Sequence, residues 1–293
     1  MSKVPYGSWK SPISTDLIVA GSIGLSSPHA MQNGRCWIES RPQEGGRSVL
    51  VQQDPDGKVR DITPAPFNIR TRVHEYGGGA SLIHGDSIYF SNFADQQLYC
   101  QGWEDSAPNQ LTHAEGFRFA NGCVDTRRNR MIYVVEDHNV SGEPQNQLSA
   151  IDMETGALTI LAKGHDFYSS PVISPDGSRM AFMTWDHPNM PWDESTIWVT
   201  ELDEAGMPGE MILVAGGKQG EQKISVQQPQ FSATGELFYI SDESGYWNLY
   251  REKSGRSVCP RKAEFGGPHW VFGMDHYEFL DSGKIICLSL IHI

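Results

Sequence analysis

SSPVISPDGSRMAFMTWDHPNMPWDESTIWVTELDEAG, residues 169–206, decides how the rest of the chain is read. A turn, S-P-D-G, comes first. An apolar alternating run follows, then a loop, then a second alternating run, then a closing turn with Asp and Gly. Alternation with period two, rich in aromatic and β-branched residues and bounded by Gly, Pro and Asp, is strand patterning. Proline pre-sets φ at the turn entrance, and glycine accepts positive φ at its exit. Asp-Gly or Asn-Gly is expected to close a two-residue hairpin.

The same order recurs along the chain. VQQPQFSATGELFYISDESGYWNLYREKSG repeats it at 226–255, and GGASLIHGDSIYFSNFADQQLYCQG follows it more loosely at 78–102. CVDTRRNRMIYVVEDHNVSGEPQNQLSAIDMETG fits at 123–156, and PHAMQNGRCWIESRPQEGGRSVLVQQDPDG at 28–57. A sixth copy opens with EFLDSGKIICLSL at 278. The central turns fall at Asn33-Gly34, Gly85-Asp86, Arg128-Asn129, Asp176-Gly177, Thr234-Gly235 and Ser282-Gly283. Their spacing, about 44 to 58 residues with about four strands per unit, is that of propeller blades. The expected fold is therefore an all-β propeller with four-stranded blades. An N-terminal segment occupies 1–25 and a partial propeller 26–293. Blades lie near 26–63, 77–113, 119–163, 170–216 and 226–260, with a partial blade from 270. A blade needs a neighbour on each face, so about five and a half copies leave an incomplete ring with an exposed edge.

Composition narrows the function. The 293 residues are 39% hydrophobic and 20% charged, a globular balance. A formal charge of −13 makes nucleic acid and anionic membrane poor partners. No apolar run reaches the ~18 residues of a spanning helix. The N-terminus carries no export signal, so a cytoplasmic location is expected. Cys36, Cys100, Cys123, Cys259 and Cys287 are scattered, without C-x-x-C pairs, which argues against a zinc site or disulfide framework.

Two runs carry candidate function. VHEYGGGASL, 73–82, places His74, Glu75 and Tyr76 before three glycines. His74-Glu75 begins like H-E-x-x-H, but position 78 is Gly, and three glycines oppose the helix that zinc motif needs. No metal or other cofactor is expected. The run reads instead as a blade connection whose glycines permit close backbone approach. His74, Glu75 and Tyr76 would then bond between blades at a channel rim, or face a substrate together with Arg70 and Arg72 as carboxylate binders. WDHPNMPWDEST, 185–196, holds Trp185, Asp186 and Trp192 in one long loop. It is either a substrate wall or domain contact, or a loop tucked against its own blade. D-x-D-x-D-G calcium loops are absent. DTRRNR, 125–130, reads as a solvated basic hairpin tip.

YGSWKSPIS at 6–14, IESRPQEGGRSVLV at 38–51, PAPFNIRTRVHEYGGGA at 64–80, YFSNFADQQLY at 89–99 and SPDGSRMAFMTWDHPNMPWD at 174–193 resemble the N-terminal propeller of prolyl oligopeptidase-type (S9) serine peptidases. The dipeptidyl-aminopeptidase and acylaminoacyl-peptidase-like branch is the nearest. The resemblance implies a seven-bladed propeller that gates access of short peptides to a C-terminal α/β-hydrolase domain. The Ser, Asp and His of the triad belong to that domain, the Ser in a G-x-S-x-G elbow. These 293 residues contain no G-x-S-x-G. The expectation is a chain that stops within the sixth blade, with an LSLIHI tail that fits no blade, and that is catalytically inert and poorly stable by itself. The rival readings are a stand-alone TolB- or WD-type binding propeller and a propeller lactonase built around a cation.

Overall fold

The computed structural model describes residues 5, 7, 8, 10–19, 21–31, 34–280 and 283–289. The chain divides into two compact units, Met1–Ile69 and Arg70–Ile293.

The first unit holds a short helix, α1 (Thr15–Val19), and one antiparallel sheet in chain order: β1 (Gly24–Met31), β2 (Gly34–Arg41), β3 (Arg47–Gln53) and β4 (Val59–Asp61). Val49, Leu50 and Val51 of β3 are buried, while β1 is exposed along nearly its whole length. Arg41 ties the sheet together, reaching Glu39 at 2.7 Å, Glu44 at 3.1 Å and Asp61 at 2.6 Å. The turn expected at Asn33-Gly34 begins outside the described residues.

The second unit repeats one meander. Its first sheet is β5 (Ser81–His84), β6 (Ser87–Ser91), β7 (Leu98–Gly102) and β8 (Asn109–Gln110). The next is β9 (Phe117–Asp125), β10 (Arg130–Asp137), β11 (Gln145–Asp152) and β12 (Leu158–Lys163). A five-stranded sheet follows: β13 (Phe167–Ile173), β14 (Arg179–Trp185), β15 (Thr196–Glu201), β16 (Ile212–Gln219) and β17 (Gln222–Ile224). Then come β18 (Val226–Phe231), β19 (Leu237–Ser241), β20 (Asn248–Arg251) and β21 (Arg256–Ser257), and a two-stranded sheet, β22 (Tyr277–Phe279) and β23 (Ile285–Cys287). These sheets are propeller blades, and the all-β expectation holds.

Period two explains how blades stack. Along β10, Met131, Tyr133 and Val135 join a core with Tyr89 and Leu98 of the preceding sheet. Ile132 and Val134, between them, join a core with Tyr168, Met180 and Phe182 of the following sheet. One strand thus buries both faces, which is why RMIYVVE reads as a nearly continuous apolar run. β14 does the same, with Ala181 and Met183 packed against Val226, Leu237 and Tyr239.

Two local expectations are corrected. Of the expected central turns that lie wholly within the described residues, only Gly85-Asp86 closes a two-residue hairpin, between the paired His84 and Ser87. At Asp176-Gly177 the turn spans Ser174 to Arg179. Gly177 N–H donates to Ser174 O at 2.8 Å, and Ser174 N–H to Arg179 O at 2.9 Å. Asp176 accepts from the hydroxyls of Ser174 and Ser178, both at 2.7 Å, so its side chain organises a wider turn. Thr234-Gly235 behaves alike, with Gly235 N–H bonded to Ser232 O.

DTRRNR is likewise not a solvated tip. Asp125 is fully buried and accepts from Arg128 at 3.0 Å and Arg130 at 2.9 Å. Both arginines continue to the β15–β16 loop, donating to the carbonyls of Asp203 (2.6 Å) and Gly206 (2.7 Å). A basic cluster reads as solvent-facing only when no buried carboxylate awaits it.

Candidate functional site

Residues 70–80 lead into β5 and organise the site. Val73 is buried in the core between β10 and β13. His74 and Glu75 then take left-handed backbone angles, φ 53° and 61°. Bonds from Glu75 N–H to Arg72 O (2.9 Å) and Gly77 N–H to Val73 O (3.0 Å) close the turn. His74 N–H donates to Glu136 on β10 at 2.9 Å, and its Nε2 meets Asn146 Oδ1 on β11 at 3.2 Å. Glu75 pairs with Arg118 of β9 at 3.3 Å.

The glycines then let another segment in. Phe272 N–H donates to Gly77 O at 3.0 Å, and Gly78 forms a parallel bridge with Phe272. A Cβ on Gly78 would run into the Phe272 backbone, and one on Gly79 would lie 2.9 Å from the Phe272 side chain. The close approach expected of the three glycines is therefore used to seat residues 269–272.

Those residues, His74 and the 185–192 loop enclose a cavity of about 160 Å³. Phe167, from the start of β13, stacks on Trp185 with ring centres 5.2 Å apart. The His74 ring stands edge-on to both, at 5.1 and 5.4 Å, and lies 4.7 Å from Phe272. Trp270 bridges Trp192 (4.3 Å) and Tyr76 (6.2 Å) at the mouth. Burial pushes the His74 imidazole down to about 3 against the opposing bond from Asn146, and His269 down to about 4. Near neutral pH both are uncharged, so the cavity presents uncharged rings.

A larger polar cleft, about 770 Å³, shares His74, Phe167 and His187 with this cavity. Glu75, Glu136, Glu143 and Asp166 line it. Two crossed His–Asp pairs fix the wall between them: His165 to Asp186 at 2.7 Å, and His187 to Asp166 at 3.0 Å. Asp166 N–H also donates to Asp186 at 2.7 Å, and His187 N–H to Asp166 at 2.8 Å. That His187 N–H bond leads in holding the Asp166 carboxyl below its usual range.

The expected residues are thus distributed unevenly. His74, Tyr76, Trp185 and Trp192 line the apolar cavity. Glu75 lines the cleft, and Asp186 acts one step back through His165. Arg70 and Arg72 line neither; their guanidiniums stand 4.8 and 4.5 Å from the Phe93 ring centre. Phe167, His187, His269, Trp270 and Phe272 escaped the sequence reading as individual site residues. GGPHWVFG, 266–273, carried a signal, glycines beside His and aromatics as in HEYGGG.

Among the described residues no group of three or more His, Cys, Asp or Glu is arranged to hold a metal ion. No described helix is long and apolar enough to cross a membrane.

No family model and no curated protein matches the chain. Solved structures do. A puromycin-hydrolysing peptidase of Mycobacterium tuberculosis superposes with TM-score 0.85 and 32% identity, over 99% of this chain and 47% of that one. The chain belongs to the prolyl oligopeptidase (S9) family, as its propeller portion. A puromycin hydrolase crystallised as an S511A mutant complexed with PGG matches this S9 propeller at TM-score 0.87 and 28% identity, with the same coverage. The S9 propeller spans about half the length of these relatives, 47%. TolB from Acinetobacter baumannii is 15% identical at TM-score 0.51, over 80% of this chain and 53% of its own, a likeness of fold alone.

Proposed function

We propose that this chain is the substrate-receiving propeller of an S9-type serine peptidase acting on short peptides and small aminoacyl amides, puromycin included. One observation carries the reading: the two most specific sequence runs, 73–79 and 185–192, converge on one apolar cavity beside an acidic cleft. A concave, mostly apolar pocket with a few placed polar groups is the usual form of a small-ligand site. An apolar side chain of the substrate enters the ring-lined cavity, while the cleft faces its polar backbone.

The chemistry is acyl transfer by a Ser nucleophile and His base on a partner α/β-hydrolase domain. The relatives extend the expected substrates from dipeptide and acylaminoacyl release to aminoacyl amides. These 293 residues hold no nucleophile elbow, so they bind and do not hydrolyse. Five free cysteines support a reducing, cytoplasmic setting.

Calorimetric titration of the chain with puromycin and with phenylalaninamide tests this. Saturable binding is expected, weakened about tenfold in Trp270→Ala, the loss of a half-exposed ring contact at the mouth. Unchanged affinity in a folded Trp270→Ala would remove the cavity from substrate binding. Turnover of an aminoacyl nitroanilide by the chain would overturn its inertness.

A further inference from the structure

His269 sets the chemistry of the cavity. It lines the pocket and is only 6% exposed. Its Nε2 lies 3.3 Å from Ser169 Oγ on β13. Its Nδ1 has no partner, and it is the one buried side-chain polar atom of the described lining in that state. Buried polar atoms are rarely left so, because removal from water is then uncompensated. Elsewhere the lining includes the Phe167, Trp185 and Phe272 rings; His187 bonds Asp166, Asn189 bonds Glu194, Tyr76 is exposed at the mouth, and His74 already spends Nε2 on Asn146.

The size points to one six-membered ring: about 160 Å³ here, against roughly 150 Å³ for a cavity that takes up benzene. The partner of Nε2 is adaptable. Ser169 Oγ also lies 3.2 Å from Asn121 Oδ1 and 3.0 Å from Ser170 Oγ. A serine hydroxyl that donates to Asn121 accepts from His269 Nε2–H, which leaves Nδ1 a bare acceptor. If the hydroxyl turns to donate to Nε2, Nδ1 carries the proton and donates.

We propose that the cavity selects an aromatic ring bearing an oxygen substituent over a plain phenyl ring, with His269 Nδ1 as the hydrogen-bond partner of that oxygen. His269 is then a specificity-determining residue of the pocket, an inference that rests on the pocket's being the substrate site proposed above. A phenol donates to Nδ1, and a ring oxygen without a hydrogen accepts from Nδ1–H after the Ser169 hydroxyl turns.

The test is calorimetry on the chain with tyrosinamide, phenylalaninamide and 4-methylphenylalaninamide, the last matching the bulk of the phenol without its oxygen. Tyrosinamide is expected to bind about tenfold tighter than the other two, the effect of one hydrogen bond to a buried polar atom. In His269→Phe that ratio falls to about one. In parallel, the ¹⁵N resonance of Nδ1 in the unaltered protein moves with tyrosinamide and stays with phenylalaninamide, a readout independent of the variant's folding. Equal affinities for tyrosinamide and 4-methylphenylalaninamide overturn the inference and leave the pocket as a ring-binding site. Binding of none of the three overturns the substrate reading and this inference together.

Discussion

At residue scale the site rests on two strained positions. His74 and Glu75 are consecutive non-glycine residues at positive φ, each in a conformation that costs roughly 1–2 kcal/mol. His74 is compensated by its bonds to Glu136 and Asn146 and by three ring contacts. Glu75 is not. Its pair with Arg118 is 3.3 Å long and the carboxylate is 81% exposed, so the pair contributes little. Glu75→Gly is therefore expected to stabilise the chain by about 1 kcal/mol in urea unfolding, since glycine accepts φ near 61° without a Cβ clash. No gain, or a loss, would show that the Arg118 pair outweighs the strain. In the sequence the three glycines draw notice, yet the strain lies in the two residues before them. Nothing in the residue types His and Glu announces a left-handed turn.

At element scale the first strands of four sheets, β1, β9, β13 and β18, share one irregularity that β5 lacks. Ser27 of β1, Asn121 of β9, Ser170 of β13 and Gln228 of β18 all take φ near 50°. In each case the pairing to the next strand shifts register there. A bulge bends the strand and turns a side chain out of the pleat, and at β9 and β18 that side chain reaches the segment that follows. Asn121 accepts from Ser170 N–H at 2.5 Å, and Gln228 from His276 N–H at 2.7 Å. The Asp125 cluster does similar work on the β9–β10 turn. Asp125→Ala leaves Arg128 and Arg130 without their carboxylate, and is expected to cost about 3–5 kcal/mol by urea unfolding. A loss below 1 kcal/mol would mean that the carbonyls of Asp203, Gly177 and Gly206 satisfy both arginines unaided. Strand number, alternation and turn positions were legible because period two and Gly, Pro or Asp punctuation are local signals. Bulges and buried ion pairs were not. Ser, Asn and Gln mark no special φ, and RRNR looks the same buried or solvated.

At the scale of the molecule, the site was half legible. The walls from 73–79 and 185–192 stood out by composition, whereas Phe167 is placed by its ladder partner Trp185, and His269–Phe272 arrive from nearly 200 residues away, where Gly78 meets Phe272. That convergence has a consequence for stability against pH. Burial holds His74 near 3 and His269 near 4, and lowers His276, from an ordinary value near 6.5. As pH falls, the unfolded chain protonates these histidines first. Their contribution is complete above about pH 6.5 and drains away toward pH 4. Asp242, Glu243 and Asp275, raised by burial, act in the opposite sense, since acidification relieves the cost of burying their charges. The histidines are expected to prevail, because two of them are displaced by several units of pH. Unfolding free energy should fall by a few kcal/mol between pH 7 and 4.5, by urea unfolding at constant ionic strength. His269→Phe, which cannot take up the proton, should show a shallower fall whatever its stability at pH 7. An equal slope in the variant would mean that His269 takes up its proton in the folded protein as readily as in the unfolded chain, so that burial does not hold it down.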